Sequence, residues 1–440
     1  MNRRGLLSAL ACTVAVVAAA AWAWADRLED TFSLPLDHPA IQYSQKTPND
    51  PVARLDKQLE NGQTKLDFVP NGWGYLPALL KQLDINADSQ VLVFSKTSIQ
   101  IPHISPRTPR AIYFNDDVAV GYVQNGEELE LSALDPRQGI IFYTLEAAKS
   151  AQPGFARRDD CLRCHLGPVT LGAPGILISS VHPRSEELRD VHGSSFVTDH
   201  RSSFAERWGG WYVTGTHGAQ RHLGNNVALI DPLHPGGPAE EGTQNVTALA
   251  KMFDTSKYLA PTSDIVALMT LEHQTRMTNL MTRVGWDARI ALHDAANGKE
   301  PDDAVLKQLE LEVEEMIGYM LFTDEAPLGA PVAGVSSFSK TFPQRGSVDR
   351  AGRSLRDFDL RTRLFRYPLS YMIYSAAFDG LPDLLREHVY RRIYDVLTGK
   401  DQSKKFARLS AEDRRAVLEI VRQTKPGLPA YWTALDASDR

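Results

Sequence analysis

The sequence predicts an α+β fold in which a β-rich N-terminal and central part precedes a mainly α-helical C-terminal part. Three observations carry this. Between residues 90 and 146, short β-branched and aromatic runs alternate with turn residues. Runs of the same kind return between 175 and 215. Beyond residue 243 apolar residues recur at helical spacing instead.

The chain opens "MNRRGLLSALACTVAVVAAAAWAWADRLED". Arg3 and Arg4 precede an apolar and small-residue run from Gly5 to Ala21, and Ala23 and Ala25 supply small residues at a cleavage site. This layout predicts a secretory signal peptide over residues 1–25 rather than a retained spanning helix. The protein is therefore expected in the periplasm or otherwise exported, with no stable membrane span after cleavage. Removing Arg3 and Arg4, with no acidic residue, takes the formal charge from −6 to −8. A mildly acidic chain of this size argues against a nucleic-acid partner.

Residues 26–150 are expected to form a β-rich domain with a short helix at "GYLPALLKQL". Its strands are "QVLVFS", "TSIQI", "RAIYFND", "VAVGYV", "LELSAL" and "GIIFYTLE", parted by turns such as Ser105-Pro106, Asn115-Asp116 and Asn125-Gly126. They predict a small antiparallel sheet or sandwich ending near Glu146. Residues 151–242 form a second segment, with strands near "GILISSVH", "SSFVTD" and "GGWYVTG" and a linker at "DPLHPGGPAEEG". Residues 243–440 are mainly helical, over 263–292, 302–322, 378–399 and 410–424, with Ser263 as the expected N-cap of the first helix. Residues 323–346 are expected as one long loop with Gly and Pro throughout, a surface loop or a lid.

Chemistry concentrates in "FARRDDCLRCHLGPVTLG", residues 155–172. Cys12 leaves with the signal peptide, so Cys161 and Cys164 are the only cysteines of the mature chain. A zinc site commonly needs a second ligand pair, and no second cysteine pair exists. A thioredoxin-like C-x-x-C opens a helix after a strand in a βαβ unit, whereas this one follows an Arg-Asp-rich turn. A structural disulfide would not call for His165. Cys161-Leu-Arg-Cys164-His165 is the c-type haem attachment pattern. Two thiols close together on one turn can add across the two vinyl groups of one haem, and the adjacent imidazole then becomes the proximal iron ligand. One covalently attached haem c is expected, held by Cys161 and Cys164, with His165 on the iron.

The opposite face of the iron decides function. No methionine occurs from Gly167 to Lys251, where the histidines are His182, His192, His200, His217, His222 and His234. His217 and His222 lie in "WGGWYVTGTHGAQRHLGNN", whose glycines and aromatics suit a flat ligand or, equally, a tight turn. His200 follows Asp199, which could fix its tautomer. Val266, Met269, His273, Met277 and Leu280 share one helical face, a core stripe that also offers His273 as a ligand.

Beyond the motif, longer stretches resemble a family of large exported bacterial mono-haem c-type cytochromes of unassigned function. They are "QVLVFSKTSIQIPHISPRTPRAIYFND", "FARRDDCLRCH", "VTDHRSSFAERWGGWYVTGTHGAQRHLGN", "SDIVALMTLEHQ" and "FRYPLSYMIYS". The resemblance spans most of the mature chain and implies a covalent haem but little further chemistry. Two functions follow. One is an electron-transfer cytochrome with a redox partner protein. The other is a haem c enzyme, peroxidase- or oxygenase-like, acting on a small-molecule oxidant. In the enzyme, His217 or His222 would serve as acid/base and Arg221 would polarise bound peroxide.

Overall fold

A computed structural model describes residues 36–433 apart from Asn71, 96–97, 182–194 and 228–241. The expected signal peptide, His182, His192, His234 and nearly all of the 231–242 linker lie outside the described residues.

The described chain begins with helix α1 (Pro51–Glu60), which the apolar pattern alone does not announce. Its start is written locally: Asp50 accepts from the N–H groups of Val52 and Ala53 at 2.8 and 3.0 Å, and Pro51 occupies the first turn. Helix α2 (Leu76–Gln82) is the expected short helix. The strands follow: β1 (Val91–Val93), β2 (Arg110–Phe114), β3 (Val118–Tyr122), β4 (Glu128–Asp135), β5 (Gly139–Glu146) and β6 (Phe155–Arg157). After the one-turn helix α3 (Leu162–His165) come the paired strands β7 (Ser179–Val181) and β8 (Ser195–Val197), then β9 (Trp211–Tyr212). One antiparallel sheet runs in the order β6-β5-β4-β3-β2-β1-β9, so strands from both sides of residue 150 belong to it.

Of the expected "TSIQI" strand, Thr97 lies outside the described residues, and residues 98–101 are not a strand. Residues 101–103 make a 3-10 turn, because Pro102 lacks the N–H a ladder needs. The Gln100 side chain instead donates to the Glu128 carbonyl and to Glu130.

The period-2 alternation puts the two sheet faces into two cores. Tyr113, Val118, Val120, Leu129, Leu131, Ile141 and Tyr143 pack with α1 and α2. Phe114, Ile140 and Phe142 face the helical part. After β10 (Gly215–Thr216), helix α4 (Ile265–Ala296) runs through the centre. Val266, Met269, His273, Met277 and Leu280 are all buried on it, and Trp286, farther along, enters the other core. The first five turns of α4 are buried on nearly every side, with polar residues such as Glu272, His273 and Asn279 paired inside the core.

The N-cap of α4 is Asp264, not Ser263. The Asp264 carboxylate accepts from Val266 N–H at 2.8 Å, and it also receives the N–H groups of Val335 and Ser336. Ser263 is instead a stitch: its hydroxyl donates to the Tyr212 carbonyl at 2.6 Å and accepts from Leu92 N–H at 2.9 Å.

Helix α5 (Asp303–Met320) packs along α4. The expected 323–346 loop carries structure of its own: β11 (Ala333–Gly334), paired with β10, and α6 (Phe338–Gln344), whose Phe338 and Phe342 are buried. The expected 378–399 helix divides at Gly380-Leu381-Pro382 into α7 (Ala376–Asp379) and α8 (Asp383–Leu397), since proline disfavours a helical residue before it. Helices α9 (Ala411–Thr424) and α10 (Ala430–Thr433) close the fold. Among the described residues no helix is long and apolar enough to cross a membrane.

Candidate functional site

Helix α3 carries the cysteine motif, and the charged turn before it holds it in place. Arg158 donates its backbone N–H to the Phe142 carbonyl at 2.9 Å and pairs with Glu128 at 3.0 Å and Asp160 at 2.9 Å. Arg157 reaches the Tyr43 carbonyl at 2.8 Å and Asp159 at 2.9 Å. Leu162 packs against both cores. The turn is thereby pinned at its polar edge and its apolar edge.

Cys161 and Cys164 stand three residues apart across the start of this turn, a spacing that brings both thiols to one side. Both are free thiols. Cys164 is exposed and Cys161 half-buried, and burial, with Asp160 adding to it, pushes the Cys161 thiol up to about 11.

His165 is held from two sides. Its Nδ1 lies 2.9 Å from the Gly175 carbonyl, and its own carbonyl accepts from Gly175 N–H at 3.0 Å. A carbonyl can only accept, so Nδ1 carries the proton and Nε2 keeps its lone pair. Burial holds the imidazole below the ordinary histidine range against the hydrogen bond to Gly175, and Arg110 acts in the same direction as burial. Phe142 supports the ring, with centroids 4.8 Å apart. Gly175 is held in turn: Asn279 of α4 donates to the Ile176 carbonyl at 2.7 Å and accepts from Ile176 N–H at 3.2 Å.

Beside the motif the sheet presents Arg110 of β2 and Glu130 of β4, paired at 2.6 Å. The guanidinium lies flat across β3 because Gly121 is between them; a Cβ there would come within 2.6 Å of Nη2. Arg110 Nε is buried with no partner. Both charges reach the His165 imidazole. Half-buried Ile112, Ala119, Leu171 and Ile176 pack into the same core as Cys161 and Leu162. Two free thiols on one turn, an imidazole with its outer nitrogen available, an apolar surround and an orphaned guanidinium N–H together suit a haem c.

The other sequence candidates stand elsewhere. His217 and His222 are together, ring centroids 4.7 Å apart, with Phe204 beside both and Trp208 beside His222, and both are buried. His217 Nε2 accepts from Asn245 N–H at 3.0 Å, while Nδ1 of each ring is buried without a partner. Arg221 between them is exposed. They follow β9, which lies five strands along the sheet from the β5 that carries Phe142.

His200 and His273 form a second pair, Nδ1 to Nδ1 at 2.8 Å, with His273 Nε2 at 2.7 Å from Ser370 Oγ. Tyr319 stacks on His200 at 3.9 Å, and the buried Arg207–Glu272 ion pair lies beside them. The contacts of His165 share no residue with those of either pair.

Sequence reasoning did not single out Arg110, Glu130, Gly175 or Asn279. Arg110 and Glu130 are polar residues within apolar alternation, the one signal that could have marked them. Gly175 and Asn279 act through tertiary contacts alone. Comparison with protein-family models, with curated proteins and with solved structures finds no match.

Proposed function

We propose that the chain is an exported mono-haem c-type cytochrome that transfers electrons to or from a redox partner protein. The observation that carries this is the His165–Gly175 hydrogen bond, which leaves Nε2 of His165 free next to two unpaired thiols. A haem so held supplies one-electron Fe(III)/Fe(II) chemistry. Cys161 and Cys164 would form the thioether links, each S–H adding across one vinyl C=C bond. His165 would ligate the iron through Nε2, oriented by Gly175 and, through Ile176, by Asn279. Arg110 and Glu130 would set the charge around the ligand without binding it.

The test is covalent attachment. Protein made with haem maturation should keep haem through denaturing electrophoresis, and Cys161→Ala with Cys164→Ala should lose it. Haem released from the unaltered protein by denaturation would overturn the proposal. Spectra then separate the roles. An inert, low-spin iron fits the electron carrier, whereas rapid CO binding to ferrous protein and a high-spin ferric spectrum would make it a haem c enzyme.

A further inference from the structure

At the C-terminal end of α4 two histidines and a carboxylate converge. His38 comes from the loop at residues 36–43, and His293 and Asp294 from the last turns of the helix. All three are half-buried, and their ligand atoms lie within 4.8 Å of one another. We propose that His38, His293 and Asp294 form a binding site for a divalent transition-metal ion of the zinc class.

The distances favour this over a plain ion pair. His38 Nε2 and His293 Nδ1 stand 3.4 and 3.5 Å from the same oxygen, Asp294 Oδ1. Charge-assisted hydrogen bonds close to about 2.7–2.9 Å. Ligands at about 2.0–2.1 Å from a tetrahedral zinc are instead separated by about 3.3–3.4 Å. The two imidazoles meet edge to face, centroids 5.2 Å apart, so their nitrogens point toward one volume instead of stacking. Lys299 sits on the other oxygen, Oδ2, at 3.0 Å, and leaves Oδ1 to the imidazoles.

Coordination moves each imidazole proton to the outer nitrogen, His38 Nδ1 and His293 Nε2. His38 Nδ1 accepts from Ala40 N–H at 3.2 Å and His293 Nε2 lies 3.4 Å from Asn297 Nδ2, so metal binding would exchange these two contacts for the bonds to the ion. Two imidazoles and one carboxylate leave a position for water or an outside ligand. The ion would also tie the 36–43 loop to α4, next to Tyr43 and Trp286, whose rings are 6.1 Å apart.

The test is calorimetric titration of the full-length, chelator-washed protein with ZnCl2, which brings no redox chemistry of its own. One ion per chain should bind, and zinc should raise the thermal midpoint. His38→Gln and Asp294→Asn, each checked by far-UV circular dichroism, should weaken binding at least tenfold and remove the thermal shift. His293→Gln tests the helix side independently. Unaltered zinc affinity in these variants, or no binding by the unaltered protein at about millimolar zinc, would overturn the proposal.

Discussion

His165 and Gly175 are joined twice, side-chain Nδ1 to carbonyl at 2.9 Å and backbone N–H to carbonyl at 3.0 Å. The backbone bond closes the loop from His165 to Gly175 on itself and so fixes the carbonyl that the imidazole Nδ1 meets. Gly175 has no freedom of its own, because Asn279 grips the next residue from the central helix. The proposed ligand nitrogen is thereby referenced to the central helix, the way supporting hydrogen bonds fix a metal ligand.

Asn279→Leu should expose this dependence. Two backbone groups of Ile176 lose their partner in a buried site, and the unfolding free energy should fall by about 2 kcal/mol. Urea denaturation of the two proteins measures it. A loss below about 0.5 kcal/mol would show that residues 175–176 are held by something else.

The two thiols should differ in reactivity when the chain is made without haem. Cys164 is exposed, and Cys161 is half-buried with its thiol pushed up to about 11. The thiolate is the reactive form, so Cys161 should be almost entirely unreactive at pH 8. Iodoacetamide labelling followed by peptide mass spectrometry should find Cys164 modified well before Cys161. Equal labelling rates would contradict the geometry of α3.

These sites show what the sequence makes legible. Period-2 runs gave strands β2 to β5 nearly to the residue, and the 3.6-residue stripe on α4 is buried as its spacing requires. Cys161, Cys164 and His165 are legible because three reactive groups stand side by side. Asn279 is 103 residues from Ile176, and nothing local distinguishes it from any other polar helix residue. The Ser263–Asp264 boundary misled for a related reason. Both can cap a helix, and the choice fell to the strand hydrogen bonds that claim the Ser263 hydroxyl. The break at Pro382 was written in the sequence and outweighed by the apolar spacing on either side.

Arg110 and Glu130 act on the His165 imidazole in opposite senses. With a haem bound as proposed, a positive charge near the iron would oppose the ferric state, so Arg110→Gln should lower the reduction potential and Glu130→Gln should raise it. A unit charge across ~10 Å at an effective dielectric of ~20 is worth on the order of 1.7 kcal/mol, which places the shifts in the tens of millivolts after screening. Spectroelectrochemical titration reads both. Shifts of the same sign would show that the pair acts through structure and not through charge.

The buried His200–His273 pair should make the fold acid-sensitive, and the sign can be worked out. Two Nδ1 atoms at 2.8 Å need one proton between them, so protonating both rings would set two N–H groups face to face. Burial holds His273 down at about 3, below its ordinary 6.5. As pH falls below 6.5 the unfolded chain takes up a proton that the folded chain refuses. His273 therefore contributes stability above 6.5 that is lost progressively as pH falls toward 3, about 2 kcal/mol of it between pH 6.5 and 4.5. Glu272, pushed up to about 7 by burial, works in the opposite direction, and its share is full below 4.5 and lost as pH rises through 7. That share, and the one from His200, which burial also holds well below its ordinary range, belong to the unaltered protein and to His273→Gln alike and largely cancel in their difference. His273→Gln should be less stable at pH 7.5, where the bonds to Ser370 and His200 are lost, and the deficit should shrink by about 2 kcal/mol at pH 4.5. Urea unfolding of both proteins at the two pH values decides it. A deficit that stays constant would mean that His273 is not neutral in the folded chain.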